Sequence, residues 1–257
     1  QFVDEIVAGA KGLIAHGIEK GDRVVVHSGT RIEWTILDYA IWMAGGVTVP
    51  IYETSSPEQI EWIVNDSAAK AVFTENADLK ALVDEVADRL GTMQHLHVIE
   101  DGALETLRQA GAEVSEDQVR ERSSLATGED LATIVYTSGT TGRPKGCLIT
   151  HHNFIWDATQ TAAAGPEFFV GGMTTLFFLP LAHIFARVVQ TTCIRNGVVL
   201  GYSTGIPQLT EELGIFQPDF LIAVPRVFEK VFNGARAKAA ADGKERIFDK
   251  AAQVAED

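Results

Sequence analysis

The chain has 257 residues, 46% hydrophobic and 22% charged, with 21 Lys and Arg against 35 Asp and Glu, a net charge of −14. That apolar content supports a buried core and excludes disorder, and two cysteines, Cys147 and Cys193, are too few for a disulfide scaffold. Residues 1–130 hold 24 acidic and 10 basic side chains and residues 131–257 hold 11 of each, so no basic stripe invites nucleic acid as the main partner.

The chain opens on an amphipathic helix, with Phe2, Ile6, Ala10, Leu13 and Ile14 on one face and Gly17 as its stop. A β-branched run over 23–27 (RVVVH) predicts a strand. Ile32, Ile36, Tyr39 and Met43 predict a helix over 32–44. A strand follows at 47–52, and a helix over 57–65 begins with Pro57 after Ser56 as N-cap. The pattern then predicts a strand at 71–74, a helix over 79–90 and a strand at 96–99. Residues 103–128 are polar and weakly helical, which predicts a peripheral excursion. The apolar run 131–137 (LATIVYT) suits a strand buried on both faces. Strands at 146–150, 175–179, 198–202 and 220–224 then alternate with helices over 153–164, 184–195, 208–216 and 226–241, and a charged helical stretch occupies 242–257.

This alternation predicts an α/β class: mainly parallel sheets flanked by helices, with about ten strands in more than one sheet. The charge asymmetry divides the chain into an acidic part, 1–130, and a neutral part, 131–257. The longest apolar stretch, 174–186, is broken by Pro180 and His183 and falls short of the ~20 residues a spanning helix needs. With few cysteines and no signal-peptide pattern, a cytoplasmic location is expected. The chain starts with Gln1 inside a helix and ends on one without a capping glycine, which predicts a piece of a larger protein.

The most informative segment is Thr137-Ser138-Gly139-Thr140-Thr141-Gly142-Arg143-Pro144-Lys145-Gly146, directly after the apolar run. Its glycines permit positive φ and close backbone approach to a ligand. Successive backbone N–H groups in such a loop form an anion nest, and Thr137, Ser138, Thr140 and Thr141 add hydroxyl donors. Lys145 supplies a point charge suited to a departing phosphate. A Walker loop needs its lysine after the second glycine and a helix to follow. Here Lys145 precedes Gly146 and a strand-like run follows, so the spacing disfavours a P-loop nucleotidase. An ordinary surface turn seldom combines three glycines, four hydroxyls and a lysine behind a buried strand.

The run 134–145, IVYTSGTTGRPK, resembles the signature of the adenylate-forming (AMP-binding) superfamily. The segments LPLAHIFAR (179–187), VPRVFEK (224–230) and VPIYETSS (49–56) are similar to those of its long-chain fatty acid–CoA ligases. The resemblance covers nearly the whole chain. It implies part of the large N-terminal domain of an acyl-CoA synthetase-like fold, without the small C-terminal domain. It also implies a two-step reaction with ATP, Mg2+ and coenzyme A: a fatty acid carboxylate attacks the α-phosphorus of ATP, and the coenzyme A thiol then displaces AMP. Thr137, Ser138, Gly139, Thr140, Thr141 and Gly142 would cradle the β- and γ-phosphates, and Lys145 would hold the leaving pyrophosphate.

By the same resemblance, His183 matches the position whose ring lies near the substrate carboxylate or adenylate. Arg187, one helical turn on, would share its face at the acyl and adenylate site. Some relatives carry a bulky aromatic gate there, and the arginine departs from that pattern. Phe168, Phe169, Phe177, Phe178 and Phe185 are candidates for an acyl tunnel, although core packing accounts for any one of them. Trp34, Trp42, Trp62 and Trp156 read as core or interface, and Cys147 as buried and structural. His151 and His152 lack partners at metal-ligand spacing, so no metal site is expected from them; His151 is a weaker candidate for a place near the nucleotide. The family's Tyr-Gly-x-Thr-Glu and Thr-Gly-Asp segments do not occur in these 257 residues, which predicts that they are inactive by themselves. Small molecules are the expected partners, with peripheral membrane contact open for a lipid substrate. Activation of a short-chain, aryl or amino acid, or nucleotide binding without turnover, are the alternatives.

Overall fold

The computed structural model describes residues 1–137 and 143–256. Five strands run parallel: β1 (Arg23–His27), β2 (Val47–Ile51), β3 (Ala71–Thr74), β4 (His95–Val98) and β5 (Leu131–Thr137). A sixth, β6 (Lys145–Thr150), folds back antiparallel on β5, and the sheet order is β4-β3-β1-β2-β5-β6. The sheet thus draws strands from both sides of residue 130.

Successive strand residues point to opposite faces, and at the central strands both faces are covered. Val24 and Val26 pack with α1 (Phe2–Ala15), α2 (Ile32–Met43), α5 (Ala103–Ala110) and α6 (Glu116–Ser124). Val25 packs on the other side with α3 (Pro57–Ser67) and α4 (Ala77–Asp84). Ser56 caps α3 in a reciprocal bond pair with Gln59, and Pro57 takes the first helical position, where its missing N–H costs nothing.

Three expectations need correction. The helix over 79–90 is instead α4 followed by a single 3-10 turn, Ala87–Arg89. Residues 103–128 are not a peripheral excursion. They form α5 and α6, and Ala103, Leu107 and Val119 reach the main core. Glycine makes this close approach possible, since a Cβ on Gly12 of α1 would strike the Leu107 carbonyl. The run 220–224 forms only one bridge, Phe220 with Thr175. Pro225 starts a helix immediately afterwards and commits Val224 to its extended N-cap, which ends the strand early.

Beyond β6 come α7 (His151–Ala164), β7 (Thr174–Phe177), α8 (Ile184–Asn196) and β8 (Val199–Tyr202). β7 and β8 form a second, parallel two-stranded sheet. The helices α9 (Leu209–Phe216), α10 (Pro225–Ala241) and α11 (Glu245–Glu256) follow. One core cluster runs from Ile6 through Trp34 to Leu176, Val189 and Phe220, so the second sheet packs into the same interior as the first. No helix among the described residues is long and apolar enough to cross a membrane.

Candidate active site

Thr137 ends β5 directly opposite Lys145, which begins β6, and both are exposed. Ser138, Gly139, Thr140, Thr141 and Gly142 lie outside the described residues. The strands that carry the loop are firmly held. Tyr136 donates from its hydroxyl to Asp66 Oδ2 at 2.6 Å, and burial together with that carboxylate pushes the phenol's pKa up. Trp62 Nε1 donates to the Pro144 carbonyl at 2.8 Å, and the Arg143 guanidinium lies 4.6 Å from the Trp62 ring centre. A Cβ on Gly146 would come within 2.8 Å of Ile134, so glycine lets β6 lie close against β5 beside the lysine. The hairpin is therefore anchored by α3 while the end that carries the connecting loop also carries the lysine.

His183 is exposed and caps α8, its Nδ1 accepting from the Phe185 N–H at 3.2 Å. That bond leaves the proton on Nε2, the nitrogen free to donate to a ligand. The approach to the cap is fixed by Thr30, whose hydroxyl donates to the Leu179 carbonyl at 2.7 Å and accepts from the Leu181 N–H at 3.2 Å. Thr30 follows the C-terminal end of β1. The His183 turn and the Thr137–Lys145 pair thus both lie at the C-terminal edge of the parallel sheet, where α/β folds bind ligands.

Arg187 does not stand beside His183 on an open wall. It is fully buried, donating to Asp38 Oδ1 and to Thr133 Oγ1, each at 2.6 Å. Its guanidinium lies among Trp34, Trp42 and Phe154, 5.0–5.5 Å from their ring centres. Neither Asp38 nor Thr133 belongs to a motif that marks it in the sequence. Asp38 left a signal, a carboxylate on the apolar stretch of IEWTILDYAIWM beyond the first-turn Glu33, because a buried charge needs a partner.

A cavity of about 1080 Å3 opens at the same sheet edge, lined by Gly29, Glu53, Glu75, Glu100, Phe178 and Tyr202 among others. Neither Lys145 nor His183 lines it. Its charged lining is mostly acidic, with Glu33 and Asp78 adding to those three carboxylates against Arg31 and Lys230, which disfavours a triphosphate there.

Of the phenylalanines, Phe169, Phe177 and Phe178 are buried, Phe178 also lining that cavity, while Phe168 and Phe185 are exposed. Trp34 is core and Trp156 is exposed. Cys147 is exposed on β6, against expectation, because it faces out of the last strand of the sheet, its Sγ 4.0 Å from Thr137 Oγ1. His151 packs on Trp42 at the far end of β6. Roughly 20 Å of strand, at about 3.3 Å per residue, separates it from Lys145.

The family model for AMP-binding enzymes matches residues 1–253. The chain is 43% identical over 260 residues to the long-chain-fatty-acid–CoA ligase FadD15 of Mycobacterium bovis, covering 100% of this chain and 43% of that protein. The N-terminal domain of FACL13 from Mycobacterium tuberculosis superposes with a TM-score of 0.75 at 25% identity, over 92% of this chain and 57% of that one. FadD1, a long-chain-fatty-acid-CoA ligase from Archaeoglobus fulgidus, gives a TM-score of 0.75 at 26% identity, over 90% and 46%. The chain spans less than half the length of the curated relatives it matches.

Proposed function

The chain belongs to the AMP-binding enzyme family, and from that premise we propose that the whole protein is an ATP-dependent long-chain fatty acid–CoA ligase. The observation that carries the phosphate chemistry is Lys145 paired with Thr137 at the loop end of a hairpin anchored from behind. The acyl class is supported by the similarity to ligases named for long-chain fatty acids.

A carboxylate is a poor electrophile, and adenylation gives it a good leaving group. The fatty acid carboxylate oxygen forms a bond to the α-phosphorus of ATP, the bond to the bridging oxygen breaks, and pyrophosphate leaves. The coenzyme A thiol then releases its proton to water, its sulfur bonds to the acyl carbon, and AMP departs with the electron pair of the broken C–O bond. Negative charge accumulates on pyrophosphate in the first step, so donors aimed there lower the barrier. In this reading the backbone N–H groups and hydroxyls of residues 137–142 hold the β- and γ-phosphates, and Lys145 neutralises the leaving group. His183 donates its Nε2 proton to the carboxylate or acyl-adenylate. Arg187 acts through packing, holding the helix that His183 caps. Mg2+ enters with ATP as the counter-charge of the triphosphate. The acidic cavity is left to other contacts.

The test is ATP–pyrophosphate exchange by the intact protein, offered palmitate, acetate, benzoate or an amino acid in turn. Exchange that depends on palmitate is expected. Exchange driven only by the other acids would overturn the acyl class, and nucleotide binding without any exchange would overturn the ligase reading.

A further inference from the structure

Three histidines meet at the sheet edge farthest from the hairpin. His16 is the C-cap of α1, and His95 and His97 stand on one face of the outermost strand β4. One ring nitrogen from each lies within 4.8 Å of the other two. The rings are stacked, with centres 4.4 Å apart for His16 and His95, 5.1 Å for His16 and His97, and 6.2 Å for His95 and His97. The His95 Nε2–H donates to the His16 carbonyl at 3.1 Å, which leaves the His95 Nδ1 lone pair free. His97 Nε2 is buried and has no hydrogen-bond partner.

Stacking of three polar rings with one nitrogen orphaned is an expensive way to fill space, because an unpaired buried polar atom loses its water for nothing. The same set is well suited to a metal. Imidazole nitrogen is a preferred ligand of Zn2+, Cu2+ and Ni2+. A ring N–H bonded to a backbone carbonyl, as in His95, is the usual outer support of a metal-bound histidine. Zinc–nitrogen bonds of about 2.0–2.1 Å in a tetrahedral site place the nitrogens roughly 3.4 Å apart. The separations therefore have to close by at most about 1.4 Å, through small adjustments of the rings when the ion binds.

We propose that His16, His95 and His97 form a binding site for one divalent transition metal ion of the zinc type, with three imidazole ligands and a water as the fourth. Bound metal fastens the end of α1 to the edge strand β4. This site lies across the sheet from the hairpin and stands independently of the ligase reading.

The test titrates Zn2+ into the intact protein against a chromophoric chelator. One ion per chain with micromolar or tighter affinity is expected, together with a rise in thermal midpoint. His16→Gln, His95→Gln and His97→Gln should each weaken binding by more than about tenfold, since loss of even an outer-shell partner of a metal ligand costs about 10- to 100-fold. His152→Gln, remote from the cluster, should leave it intact. No stoichiometric binding, or affinity that survives all three substitutions, would overturn the proposal. If the variants fail to fold, Co2+ bound to the unaltered protein decides. Intense visible bands of a four-coordinate nitrogen-rich site support the proposal, and only the weak bands of an octahedral oxygen site sink it.

Discussion

Arg187 and Asp38 form an ion pair 2.6 Å long in which each side chain is 1% exposed. The pair joins α8 to α2, and a second bond from the same guanidinium to Thr133 brings in β5. It therefore ties the helix that His183 caps to the strand that leads into the Thr137–Lys145 hairpin. Taking two charges out of water is costly, and their attraction compensates only while both are present.

Removing either partner strands the other. Asp38→Ala or Arg187→Ala should each destabilise the protein by about 3–5 kcal/mol in urea unfolding. The double replacement Asp38→Leu with Arg187→Met should recover most of that loss, because it removes both desolvated charges together. Single variants that cost less than about 1 kcal/mol, in the range of an exposed pair, would show that water reaches the site.

Lys145→Ala should lower fatty-acid-dependent ATP–pyrophosphate exchange by about 100-fold or more, the scale for losing one group that stabilises developing charge. The KM for the fatty acid should hardly move, since in the proposed role the lysine acts on the departing pyrophosphate and not on the acyl chain. Equal losses in exchange and in fatty acid binding would take the phosphate role away from Lys145.

The residues of the hairpin and the histidine cap were legible because their chemistry is local: Thr137 and Lys145 flank one loop, and His183 precedes one helix. Strand order was not legible, and neither was the partner of Arg187. Asp38 lies 149 positions away in sequence, and only the packing of α8 across α2 brings the two together. Arg187 consequently reads as a site residue from spacing and sits in the core. The strand expected at 220–224 failed for a local reason in plain view, since Pro225 opens a helix. The histidine cluster escaped because His16 and His95 are joined by the fold rather than by ligand spacing.

His183 carries two roles that substitution can separate. Asparagine also caps helices, so His183→Asn should keep stability near that of the unaltered protein, whereas His183→Ala should lose about 1 kcal/mol. Both remove the Nε2 donor, and both should slow adenylation by about 10- to 100-fold, the worth of a hydrogen bond to a charged group. Asparagine restoring activity along with stability would reduce His183 to a cap.

Stability should fall as pH drops from about 6.5 to about 4, before most carboxylates titrate. His27, at the end of β1, is fully buried, and neither ring nitrogen has a partner in hydrogen-bonding geometry. Burial lowers its pKa from 6.5 to about 4, with the backbone near Tyr52 and the Glu75 carboxylate only partly offsetting it. Below its unfolded pKa the unfolded chain binds a proton that the folded chain refuses, so the stability present above 6.5 is progressively lost on acidification. The full shift is worth on the order of 3 kcal/mol. His97 adds a smaller term of the same sign, because it is less buried. His27→Leu should therefore be at least as stable at pH 7, having shed two orphaned nitrogens, and should flatten the decline between pH 6.5 and 4. Urea midpoints across that range measure it, and an unchanged slope in the variant would mean that His27 protonates freely in the folded protein.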